Sequence, residues 1–593
     1  MPLRDALLLL LLAVCAAATA AQRQGVSCGL IGSPWSAVTN LCLCAPCHLC
    51  EFSWRRWRCQ LTARADMDLS DGSAVTPRQP TLEPAGWFLT DAEMTAARGN
   101  VPRRDVELFT TQNEVEAFVA TNEFFDAVFN DLEKTRAKDR VLITGWSFDD
   151  VPLRPAAVAA ASGSAGNESL LSAVFSRLVG RGAELHVLGY ANVLETDQNV
   201  AMQQKVNALP APKHGKTRFL LDDRLPDITA AHHQKSIVVK RPDGVVAFVG
   251  GVDLTNNRWD TVQHDQSQLR KRTGIAKSDD TLGWIDAHVR ISGRAAKDVA
   301  INFLSRWNMP RAPLQDASDG LAGVKNPSYS ALPAIDQGEP LMLVSSGSHA
   351  VQLIRTYSCK YGHYKDFAPS GEVSYYHALL KAIKSAKNYV YIEDQYLLYV
   401  KDLQDALLAA LPTLQRVIIV VQRPVELTAK LAGYKKYQFD MITPLQQRFP
   451  NKVQVYSTKA SRKLYIHSKL VIVDDVYASI GSANWNARSM TSDTELGVGL
   501  VDEQRVVSPD KLQVGKLVRN LRVRKFMEHT GKKFDEIDKL PFLAAANLLD
   551  AAAASRDTII ERYQVVEEAS FVLYSKDIQG LVDQLHQCDV VKK

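Results

Sequence analysis

One short pattern occurs twice in the chain, and this repetition constrains the fold more than any other feature. His233 and Lys235 precede an apolar stretch in "HHQKSIVVK", and His467 and Lys469 stand in the same relation in "YIHSKLVIVDD". Upstream of each pair lies another apolar stretch that ends in a polar turn with an aromatic residue, "VLITGWSFD" and "YVYIEDQYL". Such a repeat predicts a duplicated protein with two similar halves.

Within each half, strand patterns alternate with helical patterns. In "AAKDVAINFLSRW", for example, Val299, Phe303 and Trp307 fall on one helical stripe. This alternation is typical of an α/β layer fold. The segment between the halves, "MPRAPLQDASDGLAGVKNPSYSALPAIDQGEP", is rich in Pro, Gly, Ser and Asp, as expected of a linker. At 593 residues the chain is also too long for one ordinary core.

The N-terminus has the pattern of a secretory signal. A short basic start is followed by an apolar run from Ala6 to about Ala18 and by small residues suited to cleavage near Ala20, so residues 1–21 are expected to be removed. A retained membrane anchor is the alternative, but it needs about 20 apolar residues. We expect a secreted or lumenal protein of the secretory pathway, with a sequon for glycosylation at Asn167.

Cysteine usage agrees with export. Six cysteines crowd residues 22–62, whereas Cys359 and Cys588 stand apart. In a secreted chain this predicts a disulfide-rich N-terminal module and a further disulfide between Cys359 and Cys588. Zinc binding by "CLCAPCHLC" is the alternative, but no matching distal Cys/His pair follows. The aromatic and basic cluster 54–58 in this module is either a membrane contact or a disulfide-stapled surface.

The histidine and lysine of each pair project to the same side of their strand. In "HSKLVIVDD", His467 and Lys469 share one face because side chains alternate along a strand. Two adjacent cations in a half-buried sheet cost free energy unless an anion lies between them. Downstream, Gly481 and Ser482 allow close backbone approach and Asn484 offers an amide donor, as a phosphate cradle requires. A single His-x-Lys pair would more simply be a strand-edge feature, but this one is repeated.

These motifs resemble the phospholipase D superfamily, whose HxK(x)4D signature occurs once in each half. The segments "GGVDLTNNRWDT", "GSANWNARSM" and "VRNLRVRKFMEHTG" are similar to the eukaryotic-type members, and the likeness runs from about residue 105 to 535. It implies two pseudo-symmetric α/β/α sandwich lobes, over 105–309 and 341–535, joined by a linker over 310–340. Residues 536–593 lie outside the likeness, and we expect a helical extension there.

The resemblance also implies a mechanism. Direct attack by water on a shielded phosphodiester is slow, whereas a neutral imidazole can attack phosphorus and a protonated imidazole can donate to the departing alcohol. By resemblance, His233 is the nucleophile and His467 is the acid. Lys235 and Lys469 would balance the phosphoryl charge in place of a metal, so neither a metal nor another cofactor is expected. Water or a primary alcohol would be the acceptor.

The motif aspartates differ between the halves. Asp474 fits the second motif fully, whereas the first motif has Lys240 at that position and Asp243 three residues later. We interpret Asp243 as the displaced motif aspartate of a longer hairpin turn; an inactive first half is the alternative. The first half also has Asp253 where the second has Asn484, a difference that the eukaryotic-type members share.

Each catalytic imidazole needs an acceptor on its other ring nitrogen. Glu495 in "DTELGV" matches the family's orienting acid, and Asp260 in "NRWDT" is our candidate for the first half, with Asp265 second. Ordinary surface carboxylates are the alternative. His232 is expected to pack beside the site. Two further histidines match family positions without an assigned role, His288 and His529.

The substrate follows least directly from the sequence. The eukaryotic-like segments favour phospholipids, chiefly phosphatidylcholine, which would give phosphatidate and choline at a membrane surface. The alternatives are a phosphodiesterase for single-stranded nucleic acid and a secreted binding protein without activity. A net charge of +5 over this length is too mild to argue a nucleic-acid or a membrane partner by itself. We expect no nucleic-acid partner, and no protein partner is inferable.

Overall fold

The computed structural model describes residues 67–156, 168–191, 196–210, 217–227, 229–278, 281–314, 324–335, 347–426, 430, 432–574 and 576–586. The predictions for the signal sequence, the cysteine-rich module, the sequon at Asn167 and the bonding of Cys588 lie outside these residues. Cys359 is disulfide-bonded. No helix within the described part of the chain is long and apolar enough to span a bilayer.

The chain divides into two compact units. One consists of Asp68–Val565 with Gly580–Lys593 and contains both predicted lobes. The other consists of Met1–Met67 with Val566–Gln579, and its described part includes a short 3-10 helix, Ala569–Leu573.

A short helix, α1 (Asp91–Ala96), precedes the first lobe. The strands of the first lobe are β1 (Thr110–Phe118), β2 (Arg140–Gly145), β3 (Glu184–Tyr190), β4 (Thr217–Asp222), β5 (Ser236–Arg241), β6 (Gly244–Gly250), β7 (Gly283–Ile285) and β8 (His288–Ser292). Its helices are α2 (Thr121–Glu133), α3 (Leu171–Gly180), α4 (Thr196–Asn207), α5 (Ser267–Arg272) and α6 (Arg294–Trp307).

The second lobe repeats this plan. Its strands are β9 (His349–Tyr357), β10 (Glu372–Val373), β11 (Tyr389–Asp394), β12 (Arg416–Val421), β13 (Val453–Thr458), β14 (Leu464–Ile466), β15 (Lys469–Val473), β16 (Tyr477–Gly481), β17 (Glu495–Asp502), β18 (Arg505–Val507) and β19 (Gln513–Gly515). Its helices are α7 (Ser374–Ser385), α8 (Lys401–Ala410), α9 (Tyr434–Arg448), α10 (Ala487–Thr491) and α11 (Lys516–Thr530).

The strand order shows the duplication directly. One sheet runs β20-β13-β12-β11-β15-β16-β17-β9-β1-β8-β6-β5-β2-β3-β4, where β20 is Ile560–Arg562. From the central antiparallel β9–β1 pair outward, both lobes have the same sequence of antiparallel strands followed by three parallel ones. The predicted α/β class with two pseudo-symmetric lobes is therefore confirmed.

Helices cover both faces of each lobe's sheet because the strands are apolar on both sides. In β2, Val141 and Ile143 face a core shared with α2, α3 and α4, while Leu142 faces a second core that α6 supplies. The second lobe packs α11 and α13 (Phe542–Ala554) into that same second core, together with β20. Each lobe is thus an α/β/α sandwich, and one core joins the two.

The segments outside the lobes are only partly as expected. Of the predicted linker, residues 324–335 lie on the first lobe, where Leu332 and Ile335 join the shared core. The extension contains helices α12 (Phe534–Asp538), α13 and α14 (Lys576–Val582) but also strand β20, which pairs with β13. The extension is therefore not purely helical.

Candidate active site

Each motif histidine is held by a backbone contact with the opposite lobe. The N–H of His467 donates to the carbonyl of Ile285 at 2.8 Å, directly after the parallel pair β14–β7. In the other half, the N–H of His233 donates to the carbonyl of Thr494 at 3.0 Å. The residue after each carbonyl, Asp286 or Glu495, is acidic. At the place where the motifs meet, a segment of each lobe therefore pairs with a segment of the other lobe.

Those two acids orient the histidines across the lobe boundary. Nδ1 of His467 lies 2.7 Å from Oδ2 of Asp286, and Nδ1 of His233 lies 3.1 Å from Oε1 of Glu495. An acid that binds Nδ1 fixes the ring and leaves Nε2 to react. His233 is 13% exposed and His467 7%, so both rings are largely buried but still reach the surface.

Small residues directly after β6 and β16 lie beside the two acids. A side chain at Gly251 would put its Cβ 2.1 Å from Oδ1 of Asp286, so only glycine fits beside this carboxylate. At the matching position of the second lobe, the hydroxyl of Ser482 donates to Glu495. The phosphate-binding role expected for Ser482 is thus replaced by a contact with the orienting acid.

The two lysines are buried and bonded to fixed acceptors. Nζ of Lys235 donates to the carbonyl of His233 at 2.9 Å and lies 3.3 Å from Oδ2 of Asp253. Nζ of Lys469 donates to Oε1 of Gln395 at 3.0 Å and to the carbonyl of His467. These contacts fix the ammonium groups beside their histidines.

The pKa values reflect a crowded, dry site. Burial, together with Lys235 and Lys469, holds the pKa of His233 well below its usual range, and burial with Lys469 does the same for His467. Burial lowers the pKa of Lys469 to about 7 and raises that of Glu495 to about 7. The lysines of both motifs act on the histidines of both motifs, so the four side chains lie in one electrostatic environment. A bound anion would stabilise their charged forms.

Of the other predicted phosphate ligands, Asn484 is buried and Asp253 is bonded within the protein. The unpartnered atom of Asn484 is its Oδ1, an acceptor, so only the amide Nδ2 could donate to a phosphoryl oxygen. Oδ1 of Asp253 accepts the backbone N–H of Trp146 at 2.7 Å while its other oxygen faces Lys235. Asp253 therefore ties Lys235 to the end of β2.

Asp260, the predicted orienting acid of the first half, binds neither motif histidine: Glu495 orients His233, and the acid that the first half supplies is Asp286, which orients His467. Asp260 instead accepts the N–H of Trp284 at 2.9 Å and lies 2.9 Å from Nδ1 of His264. Burial alone would lower the pKa of His264, but hydrogen bonds with Asp260 and Glu528 raise it to about 9. The second candidate, Asp265, is exposed and accepts from Gln266.

The two motif aspartates differ in environment. Asp474 is buried and accepts the backbone N–H groups of Lys387, Asn388 and Tyr389 at the start of β11. Asp243 is exposed in the turn between β5 and β6. The extra residues of the first hairpin lengthen β5 and β6 and not the turn, so the predicted turn extension is not seen. The structure does not bring Asp243 into the position that Asp474 occupies.

The remaining family-matching histidines are internal. Nδ1 of His232 lies 2.8 Å from Oγ1 of Thr494, consistent with the predicted packing role. The ring of His288 packs 4.2 Å from that of Phe124. Nε2 of His529 lies 2.8 Å from Oε2 of Glu393.

One buried group among the described residues has the spacing of a metal site, namely Glu393, Glu528 and His529. Nζ of Lys525 lies 2.6 Å from an oxygen of each of these glutamates. The ammonium supplies the positive charge there, so the group fits an internal ion network better than a bound metal.

An aromatic wall and a small cavity adjoin His467. Trp284 stacks on Tyr465 with ring centroids 5.0 Å apart and lies 4.9 Å from the ring of His467. Tyr465 also lines a narrow pocket, with room for about one water molecule, together with Tyr396, Tyr434 and Glu426. A ring of tyrosines beside a carboxylate is suited to a cationic group.

Sequence reasoning missed Asp286, although the repeat contains a signal for it. Gly250 pairs with His288, and Gly481 pairs with Gly497. Asp286 and Glu495 each stand two residues before those partners. Aligning the halves on the strand after each hairpin would therefore have identified the second acid.

Comparison with known families adds an independent observation. Residues 134–405 match the family described as Phospholipase D, and residues 379–509 match the family described as Cardiolipin synthase, PLD-like domain. The first match contains the His233 pair and the second contains the His467 pair.

Similar proteins include plant enzymes. The chain is 26% identical to phospholipase D alpha 3 of Arabidopsis thaliana over 436 residues, which cover 54% of this chain and 52% of that protein. It is 27% identical to phospholipase D gamma 1 of the same plant over 381 residues, 45% of this chain and 44% of that protein. The chain thus spans about half the length of these curated relatives. The solved structure of phosphatidylserine synthase from Haemophilus influenzae is 15% identical, with a TM-score of 0.45, covering 80% of this chain and 93% of that one.

Proposed function

We propose that this chain, which belongs to the phospholipase D superfamily, hydrolyses glycerophospholipids of the phosphatidylcholine type to phosphatidate and a free head group. The observation that carries the proposal is the pair of histidines at the lobe boundary, each oriented through Nδ1 by an acid of the other lobe. Two separately oriented imidazoles beside two buried lysines suit the cleavage of an anionic diester.

In the proposed first step, Nε2 of His233 attacks phosphorus and the bond from phosphorus to the head-group oxygen breaks. Glu495 stabilises the positive charge that grows on the attacking ring. His467 gives its Nε2 proton to the leaving oxygen. The products of this step are a phosphohistidine and the free alcohol.

In the second step, water attacks phosphorus while His467 accepts its proton, and the bond between phosphorus and His233 breaks. Phosphatidate leaves. A primary alcohol that replaced water would give a phosphatidylalcohol by the same route. Lys235, Lys469 and Asn484 would neutralise or hydrogen-bond the phosphoryl oxygens in both steps.

Protonation of His467 before the reaction requires the substrate itself. Burial and Lys469 lower the pKa of His467 in the free protein. An anionic diester between the two lysines would raise that pKa, because a nearby negative charge favours the imidazolium. Substrate binding would thereby charge the acid that the leaving group needs.

The position of the tyrosine-lined cavity supports the assignment of the acid. Tyr465 stands two residues before His467, and Gln395, which bonds Lys469, also donates to the hydroxyl of Tyr465 at 2.8 Å. A cationic head group that lay against these tyrosines, outside the narrow pocket, would place its oxygen on the His467 side. That position favours His467 as the acid and His233 as the nucleophile.

The test is hydrolysis of phosphatidylcholine vesicles by the full chain. We expect release of choline, formation of a phosphatidylalcohol when a primary alcohol is added, and undiminished activity in EDTA. Cleavage of single-stranded DNA without choline release would replace this proposal with the nucleic-acid alternative. Absence of both activities would favour the binding-protein alternative.

Secretion and peripheral contact with a membrane complete the proposal. They rest on the N-terminal sequence pattern and on the lipid substrate. Expression in a secretory host, with N-terminal sequencing of the protein from the medium, tests the location. A chain that stays inside the cell with its first residues intact would refute it.

A further inference from the structure

The end of the described chain, Gly580–His586, lies against the segment that leads to Glu495. Asp583 is 2% exposed, and its carboxylate accepts the backbone N–H of Ala487 at 3.0 Å and that of Arg488 at 2.7 Å. These N–H groups belong to the first residues of α10, where a helix has no internal acceptor for them. Asp583 thus caps α10 from a distant part of the sequence.

Further contacts hold the same helix. The carbonyl of Gln584 accepts the hydroxyl of Ser492 at 2.9 Å, and the N–H of His586 donates to Oγ1 of Thr491 at 3.0 Å. The chain end therefore contacts both ends of α10. Because α10 is a single short turn, most of its order must come from such tertiary contacts.

The imidazole of His586 joins two other parts of the molecule. Its Nδ1 lies 2.5 Å from Oγ of Ser358, and its Nε2 lies 3.3 Å from Oδ2 of Asp227. The other oxygen of Asp227 accepts the backbone N–H groups of Thr229 and Ala230. His586 is thus linked to the segment that enters His233, and Ser358 adjoins the disulfide-bonded Cys359.

Between these anchors, α10 contacts the segment before His233 directly. Arg488 donates to the carbonyl of Thr229 at 2.9 Å and lies 3.2 Å from Asp493. Asp493 in turn accepts the N–H of Ala231 at 2.7 Å. Two residues after Asp493 stands Glu495, the acid that orients His233.

The two sides of the pseudo-symmetric site are not equally supported. On the His467 side, β14 and β7 pair at three successive residues before the histidine. On the His233 side, the corresponding pairing is a single bridge between His232 and Thr494. The side with the weaker backbone pairing is the one that Gly580–His586 covers.

We propose that Gly580–His586 is a positioning element of the active site, in which Asp583 and His586 hold the Glu495 segment against the His233 segment. The segment follows the part of the chain that matches the phospholipase D families. The inference rests on the proposed function only where it is tested by the rate of phosphatidylcholine hydrolysis.

The test compares Asp583→Ala, Asp583→Asn and His586→Ala in the full chain, with Asp577→Ala as the matched control because Asp577 is an exposed aspartate of α14, the helix that ends one residue before Asp583. We expect kcat for phosphatidylcholine to fall about 10- to 100-fold in Asp583→Ala, with KM within about twofold, since misplacement of a catalytic group costs rate. Asp583→Asn keeps one acceptor oxygen and should lose less. The control should keep the wild-type rate.

Hydrogen exchange gives a readout that needs no activity. Peptides over 227–235 and 486–496 should exchange faster in Asp583→Ala and in His586→Ala than in the control. Faster exchange in a protein that hydrolyses no lipid would support the positioning element while refuting the proposed function. Wild-type kcat together with unchanged exchange in both variants would overturn the inference. If Asp583→Ala does not fold, His586→Ala decides by the same two measurements.

Discussion

Asp286 of the first lobe lies 2.7 Å from Nδ1 of His467 in the second lobe. The reciprocal contact, Glu495 with His233, crosses the boundary in the opposite direction. Each lobe therefore supplies one histidine and the acid that orients the other lobe's histidine. Neither lobe alone contains a complete histidine–acid pair, so the duplication is a requirement of the site as well as of the fold.

Glu495 should make stability fall as the pH rises. Burial raises its pKa in the folded protein to about 7 from an ordinary value of 4.5. Between pH 4.5 and 7 the folded protein therefore keeps a proton that the unfolded chain releases. The contribution of Glu495 to the free energy of unfolding is full below pH 4.5 and is lost as the pH rises through 7. The difference in free energy of unfolding between the wild type and Glu495→Gln should therefore move against the wild type by up to about 3 kcal/mol from pH 4.5 to 7.

Urea unfolding of the wild type and Glu495→Gln at several pH values between 4.5 and 7 measures this difference. Asp265→Asn is the control, because Asp265 is exposed. Its free energy of unfolding should change with pH as that of the wild type does. If the free energy of unfolding of Glu495→Gln also changed with pH as the wild type does, Glu495 would not be the perturbed carboxyl.

Gly251→Ala should impair catalysis by displacing Asp286. A Cβ at this position would lie 2.1 Å from Oδ1 of Asp286, so the carboxylate must move away from His467. We expect kcat to fall about 100-fold, the scale of a 1 Å misplacement. Gly180→Ala is the control, because a Cβ there meets nothing within 4 Å. Equal kcat in the two variants would contradict the role of Asp286.

The two motif aspartates should respond differently to mutation. Asp474→Ala leaves three N–H groups at the start of β11 without their acceptor, which should lower the free energy of unfolding by about 3 kcal/mol or more. Asp243→Ala removes an exposed turn side chain and should change stability by less than about 0.5 kcal/mol. Thermal unfolding measures both. A loss in Asp243→Ala as large as that in Asp474→Ala would restore Asp243 as the displaced motif aspartate.

Glu426 should contribute to binding of a cationic head group. It lines the cavity with Tyr396, Tyr434 and Tyr465, so Glu426→Gln should raise KM for phosphatidylcholine about 5- to 30-fold, the range of a cation held by aromatic rings and charge. KM for phosphatidylglycerol, whose head group is uncharged, should not change. Glu503→Gln, an exposed glutamate after β17, is the control. An equal rise in KM for both lipids would exclude a head-group role.

Much of the fold follows from the sequence because the strand patterns around each His-x-Lys pair are encoded within short stretches of chain. The strands before and after each His-x-Lys pair have continuous apolar patterns, and their duplication predicts the mirrored strand order that the sheet shows. The side chains of His233 and Lys235 are likewise placed by the alternation of a strand. Features encoded within about ten residues of chain were thus predictable.

The orienting acids were only half predictable because their contacts are distant in sequence. Asp286 and His467 are separated by 181 residues, and Glu495 and His233 by 262. Asp260 lies in a motif that resembles the family, but in the folded chain it contacts His264. The acid that contacts His467 across the lobe boundary is Asp286. No pattern within one half indicates which lobe an acid will serve.

The most direct test of the account is choline release from phosphatidylcholine vesicles by His233→Ala and His467→Ala, each confirmed to be folded. The account predicts that each variant loses about a thousandfold or more of the wild-type rate, since nucleophile and acid act as a unit, and that neither forms a phosphatidylalcohol from an added primary alcohol. Full hydrolysis by either variant would contradict the two-histidine mechanism.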